Sequence, residues 1–93
     1  MKRKYTFEEA GDIAARLHIE FSKVEFQLPE FHAGLNIEAE HGLVDAETNV
    51  TDDDPLLTGK IALAHLNEFP DYYARLKKME AEAKAAKAAS AVN

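Results

Sequence analysis

Two polar pairs stand inside otherwise apolar stretches: Glu38-x-x-His41 in "LNIEAEHG" and His65-x-x-Glu68 in "IALAHLNEF". If both stretches are helical, the three-residue spacing places the members of each pair on one face. Two carboxylates and two imidazoles form a donor set suited to zinc, iron or manganese. Glu-x-x-His is also the spacing of helical di-iron carboxylate sites, although those use four carboxylates and only Glu38 and Glu68 point inward here. The same four groups can instead bond each other and close a polar core. A third chemistry, general acid–base catalysis by Glu38 or Glu68, uses the same residues.

The inward placement follows from a wheel of about 100° per residue. Leu28, Phe31, Leu35 and Ala39 define an inner arc, with Glu38 beside Phe31, His41 at the edge and Glu40 opposite. In the later stretch Lys60 and Asn67 mark the solvent side, His65 falls between Ile61 and Phe69, and Glu68 lies next to Ile61. Leu35, Ile61, Leu66 and Phe69 are thus expected in the core, with His65 and Glu68 paired to the Glu38–His41 turn. An unpartnered buried carboxylate is costly, so each inward glutamate needs such a partner.

The elements that must carry these residues are helices. "TFEE" is a capping box from Thr6 to Glu9, and helical spacing follows over about 7–17. "HIEFSKVEFQL" reads as a helical turn or extended link, since no partner strand is evident. Pro29 suits the first turn of a second helix running to about His41, with Gly42 as a left-handed stop. Asp54 caps a third helix that starts at Pro55 and ends near Glu68 or Phe69. Pro70 starts a fourth, with Asp71 at its positive end. The expected fold is all-α, a compact bundle of about four helices with an Ala-rich C-terminal helical extension. Residues 1–80 form one domain and residues 81–93 a frayed helical or disordered tail.

Composition narrows the function. A chain of 93 residues with 46% apolar content suits one globular domain. The absence of cysteine excludes disulfides, thiolate zinc sites and a cysteine nucleophile. The net charge of −6 disfavours nucleic-acid binding through phosphates. Lys2, Arg3 and Lys4 offset a body of −9, which suits a basic protein partner. No targeting signal or membrane span is visible, so a cytoplasmic protein is expected.

Other motifs carry less. Asp45, Glu47, Asn49, Thr51 and Asp53 alternate like EF-hand ligands, but Val50 and Leu56 stand where an EF-hand needs glycine and glutamate. Thr58-Gly59-Lys60 lacks the rest of a phosphate loop; Gly59 instead permits close helix packing, and Lys60 can pair with Glu40. Tyr72 and Tyr73 point about 100° apart, one inward and one toward a polar partner or the surface.

"EAEHG" and "TNVTDDDPLLTGKIALAHLNEFPDYYARLKKME" resemble a domain-of-unknown-function family of small helical bacterial and phage proteins, over roughly residues 20–80. The shared motifs are "EHG", "GKIALAHL" and "PDYY". They fall here on Glu38, Glu40, His41 and Gly42, then on Lys60, His65, Glu68, Asp71, Tyr72 and Tyr73. Ala39 stands where the usual form has leucine. The resemblance implies one helical domain of bacterial or phage source and no established activity. Two readings of function remain: a small acidic accessory or inhibitory protein that binds a protein partner, as a monomer or weak homodimer, or a metal-binding or weakly catalytic domain using Glu38, His41, His65 and Glu68.

Overall fold

The computed structural model describes residues 2–91. Thr6 opens helix α1 (Phe7–Arg16): its hydroxyl accepts from the Glu9 amide while the Glu9 carboxylate accepts from the Thr6 amide. That backbone bond is the main reason the Glu9 carboxyl sits below the usual carboxylate range. The helix stops where His18 turns left-handed at φ 59°, and the Ile19 amide reaches back to the Ala14 carbonyl. Residues 18–27 contain turns and bends that carry Phe26 into the core.

Helix α2 spans Leu28–Glu38, with Pro29 in its first turn, and tightens into a short 3-10 turn at Ala39–His41. Gly42 is not the expected left-handed stop, because its φ is −103°. Its function is proximity: a Cβ there would collide with the Asp53 side chain. The left-handed residues of the connector are Asp52 and Asp53, at φ 53° and 62°. Asp54 caps helix α3 (Pro55–Glu68) by accepting from the Leu56 and Leu57 amides.

Helix α4 begins at Tyr72, two residues after Pro70, and runs to Ala91. Pro70 and Asp71 form the turn before it, and Asp71 bonds Arg75 one helical turn on, at 2.7 Å. The segment from residue 81, expected as a frayed helical or disordered tail, is therefore helical to Ala91; residues 92 and 93 lie outside the described residues.

Helix α2 is the central element, packed against α1, α3 and α4. Phe26, Phe31, Leu35, Ala62 and Leu66 are essentially inaccessible, and Ala10, Ile13 and Ala14 close the core from α1. Fully burying a side chain such as Phe31 or Leu35 contributes about 1.5–3 kcal/mol. Gly59 lets α1 lie close to α3, since a Cβ there would sit 2.8 Å from both Ile13 Cγ2 and Leu17 Cδ1.

Two expected core residues belong elsewhere. Ile61 is half-buried and outside the core cluster, and Phe69 is half-exposed. The buried face of α3 consists largely of small residues, Thr58, Gly59 and Ala62, joined by Leu66. Ile61 lies about 115° from the centre of that face. Phe69 has left the helix for extended backbone, so its wheel position has no meaning.

Candidate functional site

Glu38 ends α2 on its inward side and is 4% exposed. Its Oε2 accepts from the Tyr73 hydroxyl at 2.7 Å and lies 3.0 Å from His65 Nδ1. A carboxylate only accepts, so Nδ1 carries the proton and His65 presents Nε2 as its remaining nitrogen. The same Nδ1 is 3.1 Å from the Tyr73 oxygen, which closes a triangle between α2, α3 and α4. On the other carboxylate oxygen, His41 Nε2 stands 3.7 Å from Oε1, an ion-pair separation too long for a hydrogen bond.

Aromatic packing fixes this triangle. Tyr72 stacks on the His65 ring, centroids 4.2 Å apart and planes within 12°, while Tyr73 meets Tyr72 edge-on. Gly34 makes room for Tyr73: a Cβ there would be 2.6 Å from Tyr73 Cε2. Burial, then the hydrogen bond and charge of Glu38, push the pKa of the Tyr73 phenol far above its ordinary value. The phenol therefore serves Glu38 as a fixed donor.

The expected pairing of His65 with the Glu38–His41 turn is present, but Glu68 does not join it. Glu68 is exposed, about 135° from the centre of the buried face of α3, whereas His65 is about 75° away on its flank. Tyr73 stands in the cluster in its place. Among the described residues, no group of three or more His, Asp and Glu side chains is arranged to hold a metal ion. Glu40, Lys60 and Asp71 are all exposed, and among the described residues none bonds to Glu38, His65 or Tyr73 and Lys60 forms no ion pair with Glu40.

Tyr73 also lines an open groove of about 490 Å³ between α2 and α4. Pro29, Ala33 and Ile37 recur every fourth residue along the α2 wall, and Pro70 and Ala74 face them. Glu25, Glu30, Asp71 and Lys77 are its charged residues. Sequence reasoning missed this surface, although the 29–33–37 repeat lay beside the inner arc of α2. It also missed the aliphatic residues displayed by the acidic connector, where Leu43, Val44 and Val50 are exposed. That connector is ordered: Asp53 accepts from the Leu43 amide, and Asn49 and Asp52 exchange two bonds.

Fold and site together define a small all-α domain in which three helices are joined by a Glu–Tyr–His triangle, with Glu38 and Tyr73 buried and His65 partly buried. Residues 10–82 match the family model of a protein of unknown function, DUF5661, and the chain belongs to that family. No curated protein and no solved structure matches the chain significantly. No helix among the described residues is long and apolar enough to cross a membrane.

Proposed function

We propose that this is a small cytoplasmic binding module that acts as an accessory or inhibitory protein, and that the groove between α2 and α4 receives its protein partner. The observation that carries this reading is the groove itself, an apolar concavity within the size range of binding sites and lined by a residue with a strongly perturbed pKa. Its walls suit one or two apolar side chains. Three carboxylates, Glu25, Glu30 and Asp71, stand against one cation, Lys77, among its lining, on a chain of net charge −6. The partner segment is therefore an apolar anchor flanked by Lys or Arg.

The Glu38–His65–Tyr73 triangle supports this reading as scaffold. It fixes α4 against α2 and so holds the groove open before a partner arrives, which lowers the ordering cost of binding. The test compares proteins captured from a lysate by the wild type and by Ala33→Arg, which places a long cation on an exposed groove position. A partner retained by the wild type and lost by the variant, with binding weakened by salt, supports the groove. Equal capture by both removes it.

A further inference from the structure

Helix α4 has 20 residues and so spans about 30 Å. Only its first turns pack on the body, through Tyr72, Tyr73 and Leu76, and residues 77–90 are exposed on every side. The face that packs does not end where the body ends. Tyr72, Leu76, Met79, Ala83 and Ala86 follow one another at spacings of four, three, four and three, the a and d positions of a heptad repeat. Met79 on this line is 54% exposed, a large apolar side chain beyond the packed first turns.

We propose that the part of this seam beyond the body, from Met79 to Ala86, pairs with the same stretch of a second copy of the chain, the two α4 helices running parallel as a short two-stranded coiled coil. The charges flanking the seam select that occupant. With Leu76 and Ala83 at a, Arg75 and Glu82 take g positions, and Glu80 and Lys87 take e positions. In a parallel pair each g residue faces the e residue five positions later on the other helix. Arg75 then meets Glu80 of the second copy and Glu82 meets Lys87, so both crossings join opposite charges, and symmetry repeats them.

These charges are open to such exchange. Among the described residues no ion pair engages Glu80, Glu82 or Lys87, and the exposed bond from Arg75 to Asp71 is of the kind worth little. Alanine at 83 and 86 lets the backbones approach closely, and it makes the association weak and concentration-dependent. Ala74 and Lys77, which line the partner groove, lie about 160° and 140° from the centre of the seam. Self-association therefore leaves the groove open and is independent of it.

The chain has no cysteine, so single cysteines report the seam directly. Met79→Cys and Ala86→Cys occupy d positions, and Ala81→Cys the outer f position. Under one oxidising buffer, both d-position variants are expected to form disulfide-linked dimers at least about tenfold faster than Ala81→Cys, because pairing raises the effective thiol concentration. In the Met79→Cys background, Lys87→Glu should slow linking, and adding Glu82→Lys should restore it. Equal rates at all three positions overturn the seam. Fast linking at only one d position overturns the parallel arrangement, since antiparallel helices align only sites near their crossing. Failure of the second charge change to restore the rate overturns the g-to-e register. All these positions are solvent-exposed on α4, and circular dichroism confirms that each variant keeps its helix content.

Discussion

Tyr73 and Tyr5 are both almost wholly buried, at 4% and 3% exposure, and the molecule secures them by opposite means. Tyr73 is held by its tip: the hydroxyl donates to Glu38, while its backbone belongs to the ladder of α4. Tyr5 is held by its backbone. It lies in the non-repetitive arm before α1, where its amide donates to Asn36 and its carbonyl accepts from Asn36 and from His32 Nε2. The Arg3 guanidinium covers its ring at 4.7 Å, and its hydroxyl has no protein partner among the described residues. Helical backbone satisfies itself, which frees a side chain to join a polar network. An irregular arm cannot, so neighbouring side chains must satisfy its backbone. The first tyrosine is chosen for its hydroxyl and the second for its ring.

The comparison breaks most sharply at Glu38. Glu38→Ala leaves the Tyr73 hydroxyl and His65 Nδ1 without their shared acceptor and opens a void, at an expected cost of about 3 kcal/mol in urea unfolding. The double change with His65→Ala should cost at least about 0.5 kcal/mol less than the sum of the single changes. Strict additivity would separate His65 from the cluster. On the Tyr5 side, Asn36→Ala removes the acceptor of the Tyr5 amide and one donor to its carbonyl, for about 2 kcal/mol. A cost below about 0.5 kcal/mol would mean that water serves the arm equally well.

Tyr73→Phe sharpens the contrast through pH. At neutral pH it should cost about 1 kcal/mol, the net worth of the bond to Glu38. The folded phenol holds its proton more tightly than an unfolded tyrosine, which titrates near pH 10. Its contribution is thus fully present below about pH 10 and is lost as pH rises beyond that, by up to about 1.4 kcal/mol per pH unit. The stability advantage of the wild type over Tyr73→Phe should shrink from pH 10 upward. A constant difference up to pH 11 would show that the phenol titrates normally.

Much of this architecture is legible in the sequence, and the misses share a cause. Capping residues mark helix starts independently of packing, so Thr6 with Glu9 and Asp54 with Pro55 placed α1 and α3 correctly. The inward position of Glu38 and its pairing with His65 follow from the arc of large apolar residues on α2. On α3 that guide fails, because the closest-packed face is made of Thr58, Gly59 and Ala62. Small residues bury by letting neighbours approach, and a wheel weighted toward large apolar groups turns away from them. Glu68 and Ile61 were drawn inward by that rotation. The role of Tyr73 was half visible: one of two adjacent tyrosines had to point inward, but only the packing of α4 on Gly34 decides that it replaces Glu68 beside Glu38.

The smallest effect belongs to Tyr5→Phe. If the ring is what the arm requires, removing the hydroxyl leaves the apolar packing and every backbone bond of Tyr5 in place. It also removes a buried donor that finds no acceptor among the described residues, a group whose desolvation costs about 1–3 kcal/mol when unmet. Phenylalanine fits the same space, so no cavity larger than the lost oxygen remains. The stacked Arg3 loses little, because the ring face that attracts it is retained. The expected result is unchanged stability or a gain of up to about 1 kcal/mol, against the loss expected for the identical substitution at Tyr73. Urea unfolding of the two variants side by side reads the difference, and a destabilisation of Tyr5→Phe equal to that of Tyr73→Phe would mean that both hydroxyls are anchored.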